Sequence, residues 1–136
     1  MFSTTSEYAL RALVALASDK GGRSTQAREL ARATEVPPSY LYKILAALRR
    51  AKLLAGTRGS RGGYCLARDP QDIRLLDVVS LFEEIRPTEA CLLKENHICD
   101  DAHPCSAHHH WKHVQRCYRE FLETKTIADL ATKDVH

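Results

Sequence analysis

Several features of membrane, secreted and repetitive proteins are missing from these 136 residues. No apolar run approaches the roughly 20 residues that a membrane-spanning helix needs. The opening stretch, MFSTTSEYALRALVALA, contains a glutamate and lacks the basic residues that precede the apolar core of a signal peptide. No internal repeat occurs, and no low-complexity segment occurs apart from a histidine run. We therefore expect a cytoplasmic protein with no membrane partner.

The net charge of +3 conceals an uneven distribution along the chain. Residues 1–70 carry 12 Lys and Arg against 5 Asp and Glu, a net +7, whereas residues 71–136 carry 8 against 12, a net −4. A basic half suits a polyanionic partner, because neutralised phosphates release their counterions. No acid and base pair suited to catalysis stands out in either half, so we do not expect an enzyme.

Three helices are predicted in the basic half. The first, residues 4–18, has Thr4 and Glu7 at the spacing of a capping box. The second spans about 25–33, and the third spans 38–51 with Pro38 in its first turn. The last two form a helix-turn-helix pattern, whose later helix enters the major groove. Its inner face is Leu41, Ile44, Leu45 and Leu48. Its candidates for contact with DNA are Ser39, Tyr40, Tyr42 and Lys43.

A glycine-rich hairpin is predicted after the third helix. Leu53-Leu54 leads through RGSRGG to Tyr64-Cys65-Leu66. Glycine allows the backbone to approach a phosphate closely, and Arg58 and Arg61 beside the glycines suit phosphate or a narrow minor groove. The combination of this hairpin with a helix-turn-helix predicts a winged helix.

The acidic half is predicted to be helical around a central loop. One helix starts near Asp72 and stops at Pro87, and a long helix covers about 108–125. Thr126 is placed to cap a short closing helix. The long helix carries an apolar seam of Trp111, Val114, Tyr118 and Phe121. The seam suits a partner helix, although it could also dock on the protein's own core. Since helix-turn-helix proteins bind two half-sites as dimers, we favour a homodimer.

Three cysteines and six histidines fall within residues 91–113. Thiolates and imidazoles are ligands of iron–sulfur clusters and of zinc. Cys91, Cys99 and Cys105 are separated by seven and then five residues, wider than the roughly two to four of zinc knuckles. An iron–sulfur cluster is therefore favoured, and zinc or a thiol switch is the alternative. Cys65 is interpreted as a packing residue, and Cys117 as a core or interface residue or a secondary thiol sensor.

A family resemblance runs through these motifs. The wing RGSRGGY, the opening SEYALRALVALA, the helix SYLYKILAALRRAKLL and the three cysteines together resemble the Rrf2 family of bacterial winged-helix regulators, in its cluster-binding branch of the IscR, NsrR and RirA type. The resemblance implies a homodimer that binds a palindromic operator in double-stranded DNA. It also implies an iron–sulfur cluster, 2Fe–2S or 4Fe–4S, whose state tunes that binding. A repressor that responds to iron, redox state or nitric oxide is the expected function.

The resemblance also implies a set of metal ligands. Cys91, Cys99 and Cys105 match the three cysteines of the family. His108, three residues after the last cysteine, matches the fourth ligand of the IscR-like pattern, whereas the NsrR-like pattern places a carboxylate of the other subunit there, which falls on Glu7. The first gap of seven residues is longer than the IscR-like five and is similar to RirA-type members, which are associated with a 4Fe–4S cluster and iron sensing. The cluster type, the fourth ligand and the signal stay open.

The sequence thus predicts a mainly α-helical fold with a small β-hairpin wing. Residues 1–70 form a winged helix-turn-helix DNA-binding domain, and residues 71–136 form a Cys/His cluster-binding loop with dimerisation helices. The alternative keeps the same fold but replaces the cluster with a thiol or zinc switch.

Overall fold

The architecture is helical with one small hairpin. The computed structural model describes residues 2–18, 23–57, 62–86, 91–93 and 102–131. The helices within these ranges are α1 (Thr4–Ala17), α2 (Ala27–Thr34), α3 (Pro38–Arg50), α4 (Leu75–Val79), α5 (His108–Thr124) and α6 (Ile127–Leu130). Strands β1 (Leu54–Gly56) and β2 (Tyr64–Leu66) are antiparallel, and Ala55 lies opposite Cys65. The predicted fold class is confirmed.

Helix α1 lies at the centre of the core. Its buried side chains are Ser6, Ala9, Leu10, Ala12, Leu13 and Leu16. All of these except Ser6 join one apolar cluster with residues of α2, α3, β1, α4, α5 and α6. The predicted inner face of α3 is confirmed, since Leu41, Ile44, Leu45 and Leu48 are all buried. Apolar residues at spacings of three and four produce this face because they recur on one side of a helix.

The start of α1 differs from the sequence prediction. Ser3, not Thr4, is the cap, and its hydroxyl accepts the backbone N–H of Ser6 at 3.1 Å. The cap therefore lies one residue before the predicted one, and the helix begins at Thr4 without a capping box. The carboxylate of Glu7 is exposed on the surface of α1. The predicted capping box of Thr4 and Glu7 is wrong.

The wing is anchored to the strand-like residue that precedes α2. The backbone N–H of Thr25 donates to Tyr64 at 2.9 Å, and the N–H of Tyr64 donates back to Thr25 at 2.8 Å. Gly63 makes this pairing possible, because a Cβ there would lie 2.6 Å from the carbonyl oxygen of Thr25. The hairpin tip closes through Thr57, whose backbone N–H donates to the carbonyl of Gly63 at 2.8 Å.

The helix predicted from Asp72 to Pro87 is shorter than expected. Asp69 accepts the N–H of Gln71 at 2.9 Å and caps a 3-10 turn over Pro70–Asp72. Helix α4 starts only at Leu75, and after Val79 the N–H groups of Leu81 and Phe82 donate to carbonyls three residues back. Such bonds tighten the turn and end the regular α-helix.

The C-terminal helices are fastened beside α4. The N–H of Leu75 donates to the carbonyl of Lys125 at 2.9 Å, and the N–H of Ile127 donates to the carbonyl of Ile73 at the same distance. Thr126 caps α6 as predicted. Hydrogen bonds from the backbone and side chain of Thr126 lower the pKa of Asp129. Among the described helices, none is both long and apolar enough to cross a membrane.

Candidate nucleic-acid interface and metal centre

The outer face of α3 carries the four predicted DNA-contacting residues. Ser39, Tyr40, Tyr42 and Lys43 are all exposed. Tyr42 is the more open of the two tyrosines, with 56% of its surface exposed against 40% for Tyr40. The helix thus presents hydroxyl and ammonium groups away from the core, and such groups can donate to base edges or phosphates.

Tyr40 differs from its neighbours because its hydroxyl already has a partner. The hydroxyl is hydrogen-bonded with Oγ1 of Thr5 at 2.5 Å, which joins α3 to the first turn of α1. Its ring also meets the ring of Tyr8 edge-on, with centroids 5.4 Å apart. The guanidinium of Arg11 lies over the Tyr8 ring, 5.5 Å from its centroid. Tyr40 therefore fixes the position of α3 against α1.

A basic groove, which we call the wing groove, runs between α2, α3 and the hairpin. Its lining residues include Gln26, Arg28, Tyr42, Arg49, Thr57, Gly63 and Tyr64. The guanidinium of Arg49 crosses the base of the wing, since a Cβ on Gly56 would lie 3.0 Å from its Cζ. An adjoining concave surface adds Lys43 and Arg50. The groove therefore collects positive charge where α3 meets the wing.

Arg28 and Arg49 are candidate residues that the sequence reasoning missed. Arg49 lies at the far end of α3, where a solvated side chain is the ordinary expectation, but it lines the wing groove beside Tyr42. A signal for it was present, because Arg49 follows Tyr42 by seven residues, which is two helical turns and the same face. Arg58 and Arg61 lie outside the described residues; Thr57 and Gly62, which flank that segment, both line the groove.

The candidate metal ligands combine a buried thiol and a buried imidazole. Cys91 is 4% exposed, and its Sγ accepts the backbone N–H of Leu93 at 3.4 Å. His108 is 2% exposed and is the first residue of α5. Its backbone N–H donates to the carbonyl of Cys105 at 3.1 Å, so one tight turn connects the two predicted ligands. The Cys105 side chain is half-buried.

Two predicted ligands remain, Cys99 and Glu7. Cys99 lies outside the described residues, and Glu7 is exposed on α1. Over the described part of the chain, no three Cys, His, Asp or Glu side chains are grouped closely enough to hold a metal ion. The donor set itself, thiols with an imidazole, fits the chemistry of an iron–sulfur cluster or of zinc.

The segment that leads toward Cys91 is tied to α1. The carboxylate of Glu83 accepts the backbone N–H of Ser3 at 3.1 Å and the hydroxyl of the buried Ser6. Burial raises the pKa of Tyr118, and the Glu83 carboxylate raises it further. The ring of Tyr118 also lies 5.9 Å from that of Phe2. Phe2 and the first turn of α1 are therefore in contact with α3, with the segment that follows α4 and with α5.

Helix α5 is only partly covered by the rest of the protein. Leu122 is completely buried and Tyr118 and Trp111 are half-buried, but 43% of Val114 and 40% of Phe121 are exposed. The predicted apolar seam thus points in part to solvent. This arrangement suits a helix that docks on its own core at one edge and offers the other edge to a partner.

A helix-turn-helix whose later helix lies beside a hairpin wing, with basic residues between them, defines a winged-helix DNA-binding protein. Residues 2–133 match the Rrf2 family, described as an iron-dependent transcriptional regulator, and the chain belongs to this family.

Individual relatives agree with this assignment. A helix-turn-helix-type transcriptional regulator of Aquifex aeolicus is 33% identical over 131 residues, which cover 96% of this chain and 90% of that protein. The structure of CymR, the global cysteine regulator of B. subtilis, matches with a TM-score of 0.79 at 27% identity, over 96% of this chain and 95% of that one. T. potens IscR matches with a TM-score of 0.72 at 28% identity, over 96% and 85%. The chain is therefore similar to transcriptional regulators rather than to enzymes, and its family implies DNA binding.

Proposed function

We propose that this protein is an iron–sulfur-cluster-sensing transcriptional repressor that binds a palindromic operator as a homodimer. The observation that carries the proposal is that a thiol, Cys91, and an imidazole, His108, are both buried, one at each end of the cysteine-rich segment. Buried cysteine and histidine side chains in such a segment are typical of metal ligands, and the family resemblance specifies a cluster. The family match to iron-dependent regulators supports the same interpretation.

Cys91, Cys99 and Cys105 are the proposed thiolate ligands, and His108 is the proposed fourth ligand. His108 is favoured over Glu7 because a single turn connects it to Cys105 and because its side chain is buried. Glu7 is exposed on α1, so it could complete the site only from another subunit. When bound, an iron–sulfur cluster supplies a centre that changes with iron supply and redox state.

Operator binding is proposed to use α3, the wing and the wing groove. Ser39, Tyr42 and Lys43 face the major groove; Arg58 and Arg61 contact phosphate or the minor groove at the wing tip. Arg28 and Arg49 add phosphate contacts in the space between α3 and the wing, because both line the wing groove. Tyr40 is assigned chiefly to positioning α3, since its hydroxyl is held by Thr5.

The first turn of α1 is the proposed link between the metal centre and the operator. Glu83, in the segment before Cys91, accepts hydrogen bonds from Ser3 and Ser6, and Thr5 of the same turn is bonded to Tyr40 of α3. A displacement that passes along the chain from Cys91 to Glu83 would act on the turn that holds α3. The change in ligation then alters operator affinity through α1 rather than through a direct contact with DNA.

Absorption spectra with iron, sulfide and zinc analysis on anaerobically purified protein test the cluster. Iron and sulfide with broad visible bands are expected, and Cys91→Ala, Cys99→Ala and Cys105→Ala should each abolish them. Cys65→Ala is the matched control, because Cys65 lies on β2 in the wing and should leave the bands intact. Zinc in place of iron, or no metal after reconstitution, would overturn the proposal in favour of a zinc or thiol switch.

The fourth ligand is tested with His108→Ala against His109→Ala. These neighbouring imidazoles differ in burial, since His108 is buried and His109 is exposed. Only the His108 change should shift the absorption spectrum of the reconstituted protein. A spectrum altered by Glu7→Ala and not by His108→Ala would instead assign the ligand to Glu7 of the other subunit.

Fluorescence anisotropy on a palindromic operator fragment tests DNA binding. The affinity should fall steeply with salt, and Arg49→Ala should weaken binding and reduce the salt slope by about one. Arg119→Ala is the control, because Arg119 is paired with Glu123 on α5 at 2.8 Å, away from the wing groove. Equal affinity in Arg49→Ala and the wild type would remove the groove from the interface.

A further inference from the structure

Two exposed side chains on α5 lie at the separation that a tetrahedral metal ion requires. The Sγ of Cys117 and the Nε2 of His113 are 3.6 Å apart, and both side chains are exposed. Zinc binds thiolate sulfur at about 2.3 Å and imidazole nitrogen at about 2.0–2.1 Å. With a tetrahedral angle, those bond lengths place the two ligand atoms about 3.6 Å apart. The pair is thus arranged at this separation before a metal binds.

The helix itself supplies this arrangement. Residues four apart lie one above the other on a single face, so His113 and Cys117 project in the same direction from the middle of a 17-residue helix. Because the backbone of α5 is continuous there, binding needs little ordering of the chain, and such preorganisation favours affinity. In the sequence, Cys117 follows His113 by four residues, about one helical turn, and the structure adds the distance between the two side chains.

The pair is separate from the proposed cluster ligands. His113 lies five residues after His108, which places it about 7.5 Å along the axis and about 140° around the helix. His108 is accordingly buried, whereas His113 is exposed. Relative to Val114 on the exposed seam, His113 and Cys117 are rotated by about 100° and 60° to one side. The pair therefore lies to one side of the seam, with Cys117 nearer its edge, because Cys117 is also about 40° from Phe121 around the helix.

We propose that His113 and Cys117 form a zinc site on each protomer, with water in the remaining positions. As the metal binds, the Cys117 thiol releases its proton to solvent and a sulfur–zinc bond forms, while the neutral imidazole donates its Nε2 lone pair. A thiolate with an imidazole selects borderline and soft cations, and it does not suit Mg²⁺ or Ca²⁺, which prefer oxygen ligands. The bound metal shields the only exposed thiol among the described cysteines from alkylation and oxidation.

Residue-specific alkylation is the decisive experiment. Full-length protein is treated anaerobically with iodoacetamide, with and without Zn²⁺, and each cysteine is followed by peptide mass spectrometry. Zn²⁺ should slow alkylation of Cys117 roughly tenfold, and His113→Ala should remove this protection. Cys65, on the wing, is the internal control and should show no change. Because each thiol is followed separately, the result does not depend on whether Cys91 and Cys105 hold a cluster.

Cobalt(II) provides an independent measurement of the same site. Titration should give a thiolate-to-cobalt charge-transfer band. In Cys117→Ser and in His113→Ala the band should weaken, and the amount of bound cobalt should fall by one equivalent per protomer. His109→Ala and His110→Ala are matched controls on the same helix and should retain the band. Cys117 alkylation that ignores Zn²⁺, or a cobalt stoichiometry unchanged in Cys117→Ser, would overturn the proposal and leave a simple thiol–imidazole hydrogen bond. Loss of the band in His109→Ala or His110→Ala as complete as in His113→Ala would also overturn the assigned pair.

Discussion

Tyr40 shows how one side chain can satisfy a sequence pattern and still have another role. It is exposed on the face of α3 that is expected to meet DNA, yet its hydroxyl is bonded with Thr5 and its ring packs on Tyr8. A hydroxyl that already has a partner gains less from a new contact with DNA, because the first bond must be broken or shared. The structural role of Tyr40 can be separated from a recognition role by experiment.

The test compares Tyr40→Phe with Thr5→Val, because each change removes one partner of the same hydrogen bond. If Tyr40 acts by positioning α3, both variants should weaken operator binding to a similar extent, by a factor on the order of ten or less. Tyr42→Phe is the recognition counterpart, since Tyr42 lines the wing groove. Anisotropy titrations measure all three. Weaker binding in Tyr40→Phe with normal binding in Thr5→Val would show that the Tyr40 hydroxyl contacts DNA directly.

Gly56 and Gly63 of the wing allow a comparison of what one added Cβ atom would cost at each position. A Cβ on Gly63 would lie 2.6 Å from the Thr25 carbonyl, which is backbone, whereas a Cβ on Gly56 would meet the flexible end of Arg49 at 3.0 Å. Gly63→Ala must displace the wing from Thr25 and should cost about 1–3 kcal/mol of unfolding free energy. Gly56→Ala should cost less, because the Arg49 side chain can rotate away. Urea unfolding midpoints compare the two; equal losses would contradict the steric argument.

At the level of elements, the sequence predicted most reliably the helices with a strong apolar period. The inner face of α3 and the extent of α5 agree with prediction to within a residue or so, because several side chains specify each of them. The cap of α1 and the length of α4 were predicted less well. A single hydroxyl decides where α1 starts, and Ser3, Thr4 and Thr5 compete for that role within one turn.

The binding face was only partly predictable, for a different reason. Polar residues at the start of α3 follow from the helix-turn-helix pattern, but the placement of Arg28 and Arg49 depends on how the wing folds back on α2 and α3. That packing is set by the Thr25–Tyr64 hydrogen bonds between residues 39 positions apart. Periodicity within one element carries no information on such a contact.

The junction of α1, α4 and α5 makes a prediction about alkaline pH. Burial and the Glu83 carboxylate raise the pKa of Tyr118 above its ordinary value of 10.0. In the unfolded chain the tyrosine ionises at its ordinary pKa, so above about pH 10 the unfolded state holds fewer protons than the folded state. The contribution of protonated Tyr118 to the free energy of unfolding is therefore complete below about pH 10, and it is lost as the pH rises through the raised pKa.

The ionisation of Tyr118 is measured by tyrosinate absorbance, as the difference between the wild type and Tyr118→Phe. Glu83→Gln should lower the pKa of Tyr118 toward its ordinary value, because the nearby negative charge is removed and burial alone remains. Glu84→Gln is the matched control, since Glu84 is the adjacent carboxylate and is exposed. An alkaline titration of Tyr118 that is the same in the wild type and in Glu83→Gln would refute the electrostatic contribution.

At the scale of the whole molecule, the two halves of the chain carry different candidate sites. The basic first half carries α3 and the wing, and the acidic second half carries the cysteine-rich segment and α5. They are not independent, because the Glu83 carboxylate accepts hydrogen bonds from Ser3 and Ser6, and Leu122 of α5 is buried in the same core as α1. In the proposed dimer, a partner helix on α5 would therefore be connected to the DNA-binding elements through this core, and this connection would fix the distance between the two recognition helices.

The final prediction concerns this dimer. Val114 and Phe121 are 43% and 40% exposed, so a partner helix would bury apolar surface that the monomer leaves in water. Val114→Glu and Phe121→Glu should each raise the dimer dissociation constant by a factor of ten or more, since burying one unpaired carboxylate costs at least about 1.4 kcal/mol. Sedimentation velocity measures the change.

Arg116→Glu is the control for the introduced charge. Arg116 is exposed and lies about 200° around α5 from Val114, on the opposite face. This variant should stay dimeric. Affinity for a full palindromic operator should fall with the dimer in Val114→Glu, because each protomer then binds its half-site alone, whereas affinity for an isolated half-site should be unchanged. A Val114→Glu protein that remains dimeric would mean that the protomers associate through another surface, and the exposed seam of α5 would then need a different partner.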